Sequence, residues 1–139
     1  MPLAKLTPNL MVQDVARTAA YYQETLGFSF VMGIPEAGGE PAGSLSPRVP
    51  LAFAIMKSGG VEVFLQSRKS LTSELPVFSG QKIGGTLTLY IECDDLDERY
   101  ARLAESAPFL KDLHETPYGM REFHIQDLNG YILAFAQKA

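Results

Sequence analysis

Gly119-Met-Arg-Glu-Phe-His-Ile-Gln-Asp-Leu-Asn-Gly-Tyr-Ile-Leu-Ala-Phe-Ala-Gln137 is the stretch on which the fold turns. It reads as two strands joined by a tight turn. Asn129-Gly130 is the strongest short hairpin signal in the chain, because both residues tolerate the positive φ that a primed turn demands. Before the turn, Phe123 and Ile125 alternate with Glu122, His124 and Gln126. After it, Tyr131, Leu133 and Phe135 alternate with Ile132, Ala134 and Ala136, so this strand carries only apolar or small side chains apart from the tyrosine.

Working outward, the same order of elements occurs twice. Val12-Gln13-Asp14-Val15 matches Cys93-Asp94-Asp95-Leu96 at an offset of 81, and Gly60-Val61-Glu62-Val63-Phe64-Leu65 matches Gly130-Tyr131-Ile132-Leu133-Ala134-Phe135 at an offset of 70. The difference between the offsets is what the Pro/Gly-rich loop 33–50 adds to the first copy. A repeat this long implies a duplicated strand–helix–strand–strand–strand module rather than a solenoid.

In the first copy, strands are expected at 6–12, 28–32, 51–57 and 61–66. Pro8 places an irregularity in the first of them. Asp14 is an expected N-cap, Val15, Ala19, Tyr22 and Leu26 share one helical face, and Gly27 ends that helix. Residues 67–73 read as a short helical turn and 75–85 as a connector. In the second copy strands are expected at 86–93 and 109–115, ahead of the opening hairpin. Asp95 with Glu98 has the spacing of a capping box, and Leu96, Tyr100 and Leu103 form the buried face of the helix. The loop 33–50 is open to two readings, a lid over a pocket or a disordered insertion.

The parity within strands defines two faces. Leu10, Val12, Val63 and Leu65 face the helix in one copy; Leu89, Ile91, Leu133 and Phe135 do so in the other. The opposite faces are mixed. The resulting expectation is an α+β fold of two βαβββ modules, 1–75 and 76–139, within one structural domain. Their curved mixed sheet would surround a cavity, with the helices on its outer face. Candidate ligand-binding residues on the cavity parity are Asn9, Met11, Phe53, Phe64, Thr88, Tyr90, Glu92 and Ala134.

Composition excludes several classes. The chain has 139 residues, is 46% apolar and carries a net charge of −4, which repels a nucleic-acid backbone. No apolar run approaches a membrane span. The N-terminal Met1-Pro2-Leu3-Ala4-Lys5 lacks the apolar core of a signal peptide, and the single Cys93 excludes an internal disulfide framework. A cytoplasmic protein is expected, with neither nucleic acid nor membrane as partner.

Val12-Gln-Asp-Val15 with Tyr21-Tyr22 and Leu26-Gly27-Phe28, Leu89-Tyr-Ile-Glu-Cys-Asp-Asp-Leu96, and Gly119 to Gly130 together resemble the vicinal oxygen chelate superfamily. That superfamily comprises glyoxalase I, ring-cleaving dioxygenases and fosfomycin and bleomycin resistance proteins. Arg121-Glu122-Phe123 followed by Asp127-Leu-Asn-Gly130 is closest to the bleomycin-resistance-like members. The resemblance implies a divalent metal held by one His or Glu from each of four strands, and carrying those positions over gives Thr7, Phe64, Thr88 and Ala134. Two hydroxyls, a phenyl ring and a methyl do not make such a site, so no metal or cofactor is expected.

The reading that follows is a metal-free small-molecule binding protein that sequesters its ligand. The resemblance also implies a homodimer, with modules swapped in some members. The acidic balance and Glu92, with Tyr90 stacking, favour a cationic or aromatic ligand. The alternative is a metal-dependent lyase, isomerase or dioxygenase whose metal site is displaced to His114, His124 and Glu115 or Glu122. Against it stands the plainer reading of two rim histidines beside carboxylates. A third possibility is a partner-binding subunit whose cavity is filled by Phe64 and Tyr90. Arg121-Glu122 reads as a local ion pair, and Cys93 as an inert core thiol.

Overall fold

The structure, a computed structural model, describes all residues 1–139. They fall into two compact units, Met1–Ile83 and Gly84–Ala139. The first contains β1 (Asn9–Val12), α1 (Val15–Glu24), β2 (Ser29–Pro35), β3 (Leu51–Ser58), β4 (Val61–Ser67) and α2 (Arg68–Glu74). The second contains β5 (Thr88–Glu92), α3 (Leu96–Ala104), β6 (Phe109–Glu115), β7 (Met120–Gln126) and β8 (Ile132–Lys138). Segment 76–83, read above as the head of the second module, runs with the first, because Pro76–Phe78 forms a 3-10 turn against α2.

Each unit is one βαβββ module with a four-stranded mixed sheet. The strand orders are β1-β4-β3-β2 and β5-β8-β7-β6, with the first pair in each parallel and the rest antiparallel. The two offsets found in the sequence reappear as register: Asn9 pairs with Phe64 and Tyr90 with Ala134. Thus repeat-related residues occupy identical places in the two sheets.

The helix side of each sheet is the core. Leu10, Val12, Val63 and Leu65 are buried in the first unit, and Leu133 and Phe135 in the second. α1 packs on β3 and β4 through Val15, Ala19 and Tyr22. In the second unit, Tyr100, Phe109 and Phe123 form a ring cluster, with Tyr100 and Phe109 stacked at 4.7 Å. No helix is long and apolar enough to cross a membrane.

Local chemistry decides the element ends. Asp14 accepts a hydrogen bond from the Arg17 backbone N–H at 3.0 Å, and Ser67 caps α2 by accepting from Ser70 N–H. The expected capping box at Asp95 does not form. Asp95 instead accepts from Arg99 Nε at 2.8 Å, and the Leu96 N–H donates to Gln137 Oε1 at 2.9 Å. A side chain 41 residues downstream thus satisfies the donor that local sequence assigned to Asp95.

The Asn129-Gly130 turn is also not a primed turn. Asn129 keeps negative φ and only Gly130, at φ 93°, is left-handed. Gly130 N–H donates to the Asp127 carbonyl at 3.2 Å, and the buried Asp127 carboxylate accepts from Asn129 and Tyr131 N–H at 2.8 and 2.9 Å. This is a three-residue loop with glycine at the bulge position. The β6–β7 turn repeats it: Gly119 is at φ 82°, its N–H meets the Thr116 carbonyl, and Thr116 Oγ1 accepts from Met120 N–H. Gly84 closes against the first of these loops, where a β-carbon would lie 2.5 Å from the Asn129 carbonyl oxygen.

The loop 33–50 is tied down. Gly33 and Ala42 exchange two backbone hydrogen bonds, and Glu36 N–H donates to the Pro50 carbonyl. With α1 and β2 it walls a cleft of about 680 Å³ that includes Gln23, Glu24, Phe30, Ser44 and Pro47. None of the candidate ligand-binding residues lines that cleft.

Candidate functional site

The candidate residues separate into two sets, one on the sheet face opposite α1 and one on the sheet face opposite α3. In the first unit, β1, β4 and β3 present Asn9, Met11, Phe64 and Phe53. Phe53 and Phe64 pack ring to ring with centroids 5.1 Å apart, and Met11 is buried. Asn9 Nδ2 donates to Gln66 Oε1 at 2.8 Å, and Gln66 Nε2 donates to Ser70 Oγ and Glu74 Oε1. Gln66, which lies outside the candidate set, therefore organises this face. Further along, Lys5 Nζ meets Glu62 Oε1 at 2.8 Å, and this bond holds the Glu62 carboxyl below its usual range.

In the second unit the face is built on a different residue. Tyr90 is in register with Ala134 on β8 and His124 on β7, and Glu92 with Ala136 and Glu122. Tyr90 Oη donates to Glu122 Oε2 at 2.6 Å. Since β8 lies between β5 and β7, the Tyr90 side chain must cross β8 on the face that carries Ala134 and Ala136, both of which are buried. Thr88 and Glu92 remain exposed.

Tyr118, from the β6–β7 turn, also donates to Glu122 Oε2, at 2.7 Å. The reading of Arg121-Glu122 as a local ion pair is therefore wrong. Adjacent residues of a strand point to opposite faces: Arg121 makes a forked bond to Asp97 at 2.7 and 3.2 Å, while Glu122 turns into the network. The same period-two argument, applied to those two residues, was the signal available in the sequence.

Glu122 has only 4% of its side chain exposed. Burial works against its charge, but the two phenol bonds and the nearby histidines outweigh it, and the carboxyl sits below its usual range. Tyr90 is pushed far above the ordinary phenol range, by the Glu122 bond first and burial second, and Tyr118 is raised for the same leading reason. Both phenols therefore stay protonated and donate.

His114 and His124 stand side by side, as their flanking of the turn suggested, with ring centroids 6.0 Å apart and planes 14° from parallel. His114 Nδ1 contacts the Asp112 carbonyl at 2.8 Å, which requires the proton on Nδ1, and its Nε2 is 4.0 Å from Glu122 Oε1. His124 Nδ1 is buried with no hydrogen-bond partner. Burial lowers its pKa, the Glu122 charge opposing, so the ring is neutral at physiological pH. Cys93 is half-buried, and burial pushes its thiol up.

The metal test is one of donor chemistry. Thr7, Phe64, Thr88 and Ala134 offer no carboxylate or imidazole, and Ala134 lies beneath Tyr90. No group of three or more His, Cys, Asp or Glu side chains is placed to hold a metal ion. The residues at these positions do not fit the metal of the vicinal oxygen chelate enzymes.

A family model described as the glyoxalase/bleomycin resistance protein/dioxygenase superfamily matches residues 5–135. No curated protein matches the chain at a significant level. Among solved structures, TioX from Micromonospora sp. ML1 superposes with a TM-score of 0.69 at 18% identity, covering 99% of this chain and 100% of that one. A superfamily member from Sphaerobacter thermophilus gives 0.69 at 22% identity, with 98% of each chain covered. Lactoylglutathione lyase from Agrobacterium tumefaciens gives 0.67 at 19%, covering 99% and 95%. At such identities these likenesses establish the fold alone.

Proposed function

The chain belongs to the glyoxalase/bleomycin resistance protein/dioxygenase superfamily, and from that premise we propose that it is a metal-free small-molecule binding protein that sequesters its ligand. The observation that carries this reading is the fate of the four positions where the superfamily's metal would be held. They present two hydroxyls, a phenyl ring and a methyl group, and the methyl is covered by a tyrosine anchored to a buried glutamate. Binding side chains without a Lewis acid suit capture rather than turnover. The ligand is cationic or aromatic, since the second face exposes one carboxylate, Glu92, beside the rings of Tyr90 and Tyr118. The working state is a cytoplasmic homodimer.

A second reading, a metal-dependent lyase, isomerase or dioxygenase with a displaced site, draws on one observation: the His114–His124 pair beside Glu122. Native mass spectrometry of protein purified without chelator separates the two. The expected result is a dimer carrying a small-molecule adduct and no metal. Stoichiometric zinc, nickel, manganese or iron would overturn the sequestering reading in favour of the enzyme.

A further inference from the structure

Glu122 is a buried carboxylate with no fixed positive partner. Its hydrogen-bond donors are two neutral phenols, both on Oε2. Arg121 is committed to Asp97 on the other side of the strand. Of the nearby bases, His124 is kept neutral by burial, and His114 Nε2 remains at 4.0 Å. A buried charge ordinarily requires compensation; here two phenol hydroxyls supply it at Oε2, and no permanently charged side chain bonds either oxygen.

The two phenols that reach it have their rings outside. Tyr90 is 48% exposed and Tyr118 66% exposed, although their hydroxyls converge on a single oxygen atom. Two aromatic rings are thus fixed at one end and open at the other. Donation to a carboxylate enriches each ring with electron density, which strengthens the negative potential of its faces. Glu92 stands exposed in the same row as Glu122 and adds a second negative charge to this face.

We propose that Tyr90 and Tyr118, anchored on Glu122, form a cradle for an organic ammonium group, which rests on the ring faces and brings a permanent positive charge to this acidic face. This rests on the sequestering reading above and names the chemistry of its ligand. It also moves the recognition carboxylate from Glu92, which the sequence suggested, to Glu122. The cation need not touch the carboxylate; the rings carry the interaction to the surface.

The test uses choline and its uncharged carbon isostere, 3,3-dimethylbutan-1-ol, titrated into the full-length protein and followed by the aromatic NMR signals of Tyr90 and Tyr118. Choline is expected to shift both sets saturably, with the isostere at least about tenfold weaker. Glu122→Gln keeps an oxygen for both phenols but removes the charge, and it should weaken choline about tenfold while leaving the isostere unchanged. Should that variant fold poorly, Tyr118→Leu, in an exposed turn, tests the same point and should abolish the choline shift at Tyr90. Equal binding of the two probes, or choline binding indifferent to Glu122→Gln and Tyr118→Leu, would overturn the cradle. A co-purified ligand retained by Glu122→Gln would overturn it too while leaving sequestration standing. Stoichiometric metal with choline binding intact would do the reverse.

Discussion

The two units are the same fold solved with the large side chains in opposite places. On the face opposite the long helix, the repeat-related pair is Asn9 opposite Phe64 in one unit and Tyr90 opposite Ala134 in the other. The aromatic ring has moved from the β4 position to the place of the first strand, and the small partner has moved the other way. On the helix face a similar exchange appears: Tyr22 on α1 corresponds to Leu103 on α3, while Ala54 on β3 corresponds to Phe123 on β7. A shared register therefore fixes how much volume a position pair must fill, and leaves open which strand supplies it. The functional difference follows from that freedom. Phe64 packs on Phe53 and closes an apolar patch, whereas Tyr90 reaches across β8 and carries its hydroxyl to a carboxylate.

The heaviest blow to the second unit is expected from Phe123→Ala. Phe123 is fully buried among Tyr100, Phe109 and Phe135, so its loss should cost about 3–5 kcal/mol in urea denaturation. Hydrogen exchange on the same variant would show whether amides of the first unit lose protection as well; if they lose it equally, the two cores behave as one.

The two similar turns can be set against each other. Asp127→Ala removes a buried carboxylate that accepts two backbone N–H groups, and a loss of about 1.5–3 kcal/mol is expected. Thr116→Val removes one hydroxyl acceptor, worth about 0.5–1.5 kcal/mol. Equal losses would mean that the carboxylate is not what distinguishes them.

Copying the first unit's pairing into the second tests the exchange of volumes directly. Ala134→Phe should overpack against Tyr90 and cost about 1–3 kcal/mol. Adding Tyr90→Asn, which completes the Asn–Phe pair, should recover most of that loss. Additive losses in the double variant would show that the two positions do not share one space.

His124 lies in the second unit, so an acid limb near neutrality should belong to it. His124 has its folded pKa below the ordinary 6.5, so the stability it confers is complete above that value and is lost as pH falls toward the folded value. Glu122, also depressed, extends the loss below its ordinary 4.5. Urea midpoints measured from pH 7 downward should fall, and His124→Gln should flatten the upper part of the limb. At the alkaline end Tyr90 acts with the opposite sign: its raised pKa keeps stability complete below 10.0 and drains it above.

The smallest effect is expected at the forked Arg121–Asp97 pair, whose aspartate is 72% exposed. Arg121→Ala should leave the denaturation midpoint unmoved within error, in contrast to any change at its neighbour Glu122.

The repeat, the two helices with their buried faces, and the strand parity were legible along the chain, because a period of 2 or 3.6 and a fixed offset are local or translational properties of sequence. Asp14 was readable as a cap for the same reason, its partner being three residues away. Asp95 was not, because the side chain that serves the first N–H of α3 is Gln137 on β8. The sequence also settled that Thr7, Phe64, Thr88 and Ala134 lack metal donors, since that depends on residue identity once the register is known.

Only the tertiary structure decided what Ala134 is for. A methyl in a strand says nothing of what lies above it. The alanine makes sense when Tyr90, 44 positions earlier and one strand over, is seen to cross it to reach Glu122 on the next strand. Sequence fixes which face a side chain takes. How far a long side chain leans across that face, and whose charge it meets there, is set by strand order, which is a property of the folded sheet.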